Sequence, residues 1–161
     1  MKYIQCPDDF NSIYDTSISS AYQHRIFLAG GITGCGDWQS EVASKITGKY
    51  TIVVNPRRKN WDDSITTKEQ VTWEFEAIRR CDNIFFWFTP PTMNPITLLE
   101  YGKVLENREQ FHGNQIFVGC HPEYARREDV IVQTKLARPK SNIKVYDNLD
   151  EMVKVINDKF K

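Results

Sequence analysis

The sequence predicts an open, mostly parallel five-stranded α/β sheet with helices on both faces. Apolar runs of strand length recur along the chain, and amphipathic segments of helix length separate them. The runs are nearly continuous rather than alternating, as strands covered on both faces require. The chain has 161 residues, of which 40% are hydrophobic and 26% charged. That is one domain's length and an ordinary composition for a folded protein.

Residues 1–24 are polar, keep no sustained period and carry turn formers such as Pro7-Asp8-Asp9 and Ser19-Ser20. They read as an N-terminal extension ahead of a domain spanning 25–161. The first strand is 26–29, and Asp37 is placed to cap a helix running to about Ile46. The second strand covers 50–54. Thr66-x-x-Glu69 and Thr67-x-x-Gln70 are overlapping capping boxes that open a helix ending near Arg80. A third strand at 84–88 leads to a helix over 96–107, and a fourth at 115–119 to a helix within 123–137. The last strand, 143–146, precedes a helix over 149–160. This β-then-α order belongs to the Rossmann-like or flavodoxin-like class. Such sheets bind ligands beyond the carboxyl ends of their strands, so the loops after Ala29, Val54, Phe88 and Gly119 are the ones to search.

Charge and cysteine usage exclude several classes. Lys plus Arg and Asp plus Glu are both 21, and the pI near 6.8 is not the footprint of a protein that tracks long nucleic acid. No apolar stretch is long enough to span a membrane, and the N-terminus turns acidic instead of running through an apolar core to a cleavage site. A cytoplasmic location is the expectation. Cys6, Cys35, Cys81 and Cys120 stand apart, without metal-ligand spacing, and read as reduced thiols.

Four loops carry candidate chemistry. Gly30-Gly31-Ile32-Thr33-Gly34-Cys35-Gly36 holds four glycines in seven residues, which allows close approach of backbone to a ligand or simply forms a flexible turn. Trp38 follows, as core or as pocket wall. Asn55-Pro56-Arg57-Arg58 offers two guanidinium groups for a phosphate or carboxylate, or a solvated turn; Trp61 and Asp62-Asp63 lie close by. On the next helix Val71, Phe75 and Ile78 form an apolar stripe with Glu74 at its flank, so Glu74 is the carboxylate that approaches the sheet, either for chemistry or as an interface side chain. After the third strand, Glu100 is either the partner of Thr97 in a capping box or a carboxylate in the first helical turn, kept ionised by the helix N-terminus and aimed at the crevice. Cys120-His121 invites a thiol nucleophile, but neighbours on a strand point to opposite faces. His24 and His112 sit in polar stretches without an evident partner.

Ile26-Phe27-Leu28-Ala29-Gly30-Gly31-Ile32, Asn55-Pro56-Arg57-Arg58, Gln70-Val71-Thr72-Trp73-Glu74, the run from Cys81 to Phe88, and Leu99-Glu100-Tyr101-Gly102 occur in the order and spacing of the nucleoside 2-deoxyribosyltransferase superfamily, which this chain resembles. The resemblance implies cleavage of the N-glycosidic bond of a 2'-deoxynucleoside through a covalent ester on Glu100, followed by transfer to another nucleobase. It puts the acid for the leaving base at Glu74 through alignment on Ile78 and Asp82, and substrate contacts at Gly30, Gly31, Trp38, Asn55, Arg57, Arg58, Asn94 and Tyr101. The family's Asp for the sugar 5'-hydroxyl is Asn94 here, and its first-strand Tyr is Phe27. An uncharged Asn94 beside Arg57 and Arg58 would also suit a 5'-monophosphate and a hydrolase that uses water. A binding module in which Glu100 is only a cap is a third reading. The implied partners are a small deoxynucleoside or deoxynucleotide, a nucleobase and further copies of the chain in a dimer or larger oligomer; neither cofactor nor metal is called for.

Overall fold

The fold was analysed in a computed structural model that describes residues 1–9, 24–60, 62, 64–107, 109–111 and 115–161. The readings placed on Ser19, Ser20, Trp61, Asp63 and His112 lie outside the described residues. The strands are β1 (Lys2–Gln5), β2 (His24–Gly30), β3 (Thr51–Asn55), β4 (Asn83–Phe88), β5 (Ile116–Cys120) and β6 (Val145–Tyr146). They form one six-stranded sheet in the order β1-β3-β2-β4-β5-β6, and every pairing is parallel. The helices are α1 (Trp38–Lys45), α2 (Thr67–Arg80), α3 (Pro95–Glu106), α4 (Arg127–Ala137) and α5 (Leu149–Lys159).

The sheet therefore has six strands, not the expected five. The extra strand, β1, lies in the stretch read as an extension and pairs with β3 from Lys2 against Ile52 to Gln5 against Asn55. Its four residues bury only Ile4, the pattern of a short edge strand, which gives almost no apolar signal. The remaining strands follow the flavodoxin-like order: the chain steps outward from β2 to β3, then returns past β2 to β4. The loops after β2 and β4 consequently part company and leave a crevice between them.

Alternation within the strands divides the core. Ile26, Leu28, Val53, Phe85, Trp87 and Phe117 face α1 and α5, where Val42, Ala43, Met152 and Ile156 are buried. Phe27, Ala29, Ile52, Val54, Ile84, Phe86, Phe88 and Val118 face α2, α3 and α4, where Ala77, Tyr101, Val104 and Val130 are buried. Every residue of β4 is buried, as expected of a central strand in a doubly covered sheet.

Helix α2 departs from its expected stripe. Val71 and Phe75 are 54% and 50% exposed, while Gln70 and Ala77 are buried. The small Ala77, followed by Cys81 against the same core, lets the helix sit close on the sheet, and this rotates Gln70 and Glu74 inward. His24 is likewise not in a polar loop: it begins β2 and stacks on Phe160 with ring centroids 4.2 Å apart.

Candidate active site

The glycine turn after β2 is held from outside by Arg57. Its Nη2 donates to the carbonyls of Ile32, Cys35 and Gly36 at 3.3, 3.2 and 2.8 Å, and its Nε donates to Gln39 Oε1 at 3.0 Å while lying 3.2 Å from Asp37. Asp37 in turn accepts the amide N–H of Ser40 and caps α1. The Trp38 indole donates to the Gly31 carbonyl at 3.0 Å, and its ring stacks on Phe85 beneath the sheet. Gly30 and Gly31 are required by close approach. A Cβ on Gly30 would lie 2.4 Å from the Trp38 ring and 2.5 Å from the Trp87 carbonyl, and one on Gly31 would lie 2.1 Å from Asn94 Oδ1. No side chain fits at either position.

Asn94 forms the opposite wall. It takes a left-handed conformation, with φ of 46°, which Asn tolerates better than most residues. Its Nδ2 donates to the Thr89 carbonyl at 3.1 Å, and its Oδ1 accepts from Thr92 Oγ1 at 2.5 Å. Helix α3 begins directly after it, with Pro95 in the first turn, where proline's missing N–H costs nothing. Asn94 is thus the N-cap, and Thr97 is a buried residue inside the helix. The Thr97-x-x-Glu100 capping box does not form, and Glu100 sits in the second turn instead of the first. Its carboxyl is therefore not taken up by a cap.

Glu74 reaches the same crevice from α2. The two carboxyls share one apolar pocket, and burial pushes both upward. Glu100 is raised to about 8, first by desolvation and then by the charge of Glu74, with Lys103 opposing. Glu74 is raised by desolvation, but the Gln70 hydrogen bond and the Arg58 guanidinium draw it back. Burial therefore works against the expectation that the helix terminus keeps Glu100 ionised: desolvation and the charge of Glu74 both favour its protonated form.

The crevice is a cavity of about 390 Å³, within the size range of small-molecule sites. Gly30, Gly31, Glu74, Asn94 and Glu100 line it, together with Phe27, Ala29, Ile32, Thr33, Pro56, Thr92 and the first turn of α3. Among the described residues, none that lines it is Lys or Arg. Five of the residues named from sequence lie elsewhere. Trp38 packs under the turn, and Arg57 is spent on the turn's carbonyls. Asn55 donates to the Tyr3 hydroxyl and accepts from the Arg57 amide. Tyr101 is buried on the far side of α3 and shares a hydrogen bond with Thr134. Arg58 donates to the Asp62 carbonyl and acts on Glu74 through its charge. Pro56 and Thr92 were missed; the proline-bounded turns at both strand ends were their only signal. Cys120 and His121 diverge as expected, the thiol into the core and the ring against Trp87.

All four cysteines are free. Among the described residues, no His, Cys, Asp and Glu cluster could hold a metal ion, and no helix is long and apolar enough to cross a membrane. The family model described as "Nucleoside 2-deoxyribosyltransferase like" matches residues 23–124, more than half of the chain, and every residue named for the cavity falls within that span. No curated protein matches the chain.

Proposed function

We propose, from the premise that this chain belongs to the nucleoside 2-deoxyribosyltransferase-like family, that it transfers 2-deoxyribose from a deoxynucleoside to another nucleobase. The observation that carries this reading is the pair Glu74 and Glu100 lining one apolar cavity at the carboxyl ends of the strands. In the reaction a Glu100 carboxylate oxygen bonds to the anomeric carbon as the carbon–nitrogen bond breaks. The bonding pair leaves with the base, and Glu74 supplies the proton that the base takes up. The incoming base gives its proton back to Glu74 and displaces the ester oxygen, which restores Glu100. One proton serves both carboxyls. Positive charge developing on the sugar favours the Glu100 anion at the moment Glu74 acts as the acid.

A neutral deoxynucleoside suits this cavity better than a 5'-monophosphate. A phosphate there would face two carboxyls, with Arg57 already committed to backbone carbonyls. We further propose a dimer or larger assembly. Val71, Phe75, Ile96 and Leu99 are 54%, 50%, 58% and 55% exposed along a groove between α2 and α3 that also touches Glu74 and Glu100. A second copy laid there would bury the apolar face and close the open side of the cavity.

The test is chromatography of a reaction containing a deoxynucleoside, with and without a second free base, run with wild type and Glu100→Ala. A new deoxynucleoside that needs both the second base and Glu100 is the expected result. Free base and deoxyribose formed regardless of acceptor would mean hydrolysis by water. No product across a broad panel would mean a binding module.

A further inference from the structure

Gln70 is buried in α2, 8% exposed, and all its hydrogen-bonding groups have partners. Its Nε2 donates to the Pro56 carbonyl at 3.1 Å and to Glu74 Oε1 at 2.6 Å. Its Oε1 accepts the thiol proton of Cys6 at 3.2 Å. Cys6, 2% exposed, follows β1 and is itself fixed by donation of its amide N–H to the Asn55 carbonyl at 3.0 Å. Rotating the Gln70 amide by half a turn would set its oxygen against two acceptors and its nitrogen against a thiol donor. The side chain therefore has one usable orientation.

We propose that Gln70 is the positioning residue for Glu74, and that the N-terminal strand holds Gln70 in place through the thiol of Cys6. This rests on the reading of Glu74 as the acid for the leaving base. An N–H donor matches a carboxylate lone pair, so Gln70 both aims Glu74 and favours its ionised form. The thiol can play its part because burial, reinforced by the charge of Glu74, pushes it up to about 12 and keeps it a donor. The other charges around the pair act from separate elements. Arg58 draws both Glu74 and the Cys6 thiol down, Asp8 pushes Cys6 up, and on α3 the Glu100 carboxyl is pushed up by Glu74 and drawn down by Lys103. Cys6 lies outside the matched residues 23–124, so a segment read as an extension reaches the reacting centre through one amide.

The test is a pH titration of side-chain carboxyl carbons by NMR in protein labelled at glutamate, with Glu74 assigned by the resonance lost in Glu74→Gln. In Gln70→Met, which keeps length and loses the donor, the Glu74 midpoint should rise by about one unit or more. It should rise less in Cys6→Ala and stay near wild type in Cys6→Ser, which retains a donor. An unmoved Glu74 midpoint in Gln70→Met overturns the proposal. If Gln70→Met does not fold, equal midpoints in Cys6→Ala and Cys6→Ser overturn it. Base release by the same variants should show kcat reduced about 10- to 100-fold in Gln70→Met with KM changed less than about twofold. Shifted midpoints in a protein that releases no base from any deoxynucleoside uphold the positioning role and overturn the proposed function instead.

Discussion

Glu100 shows what a buried carboxyl costs in stability. Its carboxyl is raised from 4.5 to about 8, so between those values the native state holds a proton that the unfolded chain has released. The corresponding stability is present in full below about 4.5 and is lost as pH rises through about 8. Glutamine cannot titrate, so Glu100→Gln should gain on wild type across that window and exceed it by about 2–3 kcal/mol near pH 8, allowing for partial exposure of the side chain. Denaturant melts at pH 4 and pH 8 check this, and an equal difference at both would remove the buried-acid account. In the proposed mechanism, turnover follows the same proton. As pH rises through about 8 the Glu100 carboxyl loses its proton and the pair has less acid to offer the base, so kcat/KM should fall on the alkaline side, and Glu100→Ala should cost several orders of magnitude at any pH. That this carboxyl lines the crevice was legible in the sequence; its burial beside Glu74 was not. Placing Glu100 in the first helical turn required ignoring Asn94-Pro95, where a proline favours the first helical position and disfavours helix at the residue before it.

At the scale of elements, strand and helix order from β2 onward was legible because apolar runs and capping residues mark it directly, whereas the edge strand β1, which buries only Ile4, left no such mark. The Thr66 box on α2 forms as read, with Thr66 Oγ1 accepting the Glu69 amide and the Glu69 carboxylate accepting the Thr66 amide. What periodicity could not give was the rotation of α2, since Val71 and Phe75 fit a buried stripe as well as an exposed one. Only packing through Ala77 decides between them. The glycine turn teaches a related lesson. The Arg57-Arg58 pair invites a phosphate, yet Arg57 reaches back to three carbonyls of the turn. A planar guanidinium spans those acceptors and the Gln39 oxygen together, which an ammonium cannot do. Arg57→Lys should therefore lower stability by about 2–3 kcal/mol and raise KM for a deoxynucleoside, because the turn that carries Gly30 and Gly31 loses its brace. Thermal melts and steady-state kinetics measure the two effects. A Lys variant with wild-type stability and KM would mean that the turn stands on its own.

The molecule as a whole presents its cavity on one side of the sheet, where the flavodoxin-like strand order parts two loops, and the cavity's remaining side is the α2–α3 groove. That groove exposes a contiguous apolar face. Val71, Phe75, Ile96 and Leu99 along it are each at least half exposed, and they border the two carboxyls on which the proposed chemistry depends. Water entering along it would raise the local dielectric, weaken the pKa shifts and offer a competing acceptor to the ester. A second copy covering it removes both effects, so assembly and transfer should fail together. Wild type is expected to sediment as a dimer or larger, and Phe75→Glu and Leu99→Glu to sediment as monomers with unchanged far-ultraviolet circular dichroism. In those monomers, transfer should fall by about tenfold or more, and any residual base release should shift toward hydrolysis. Glu76→Gln, on the same helix and outside that groove, should leave mass and product ratio untouched. Monomers that transfer at the wild-type rate would show that the groove needs no cover, and that the dryness of the pocket comes from the chain alone.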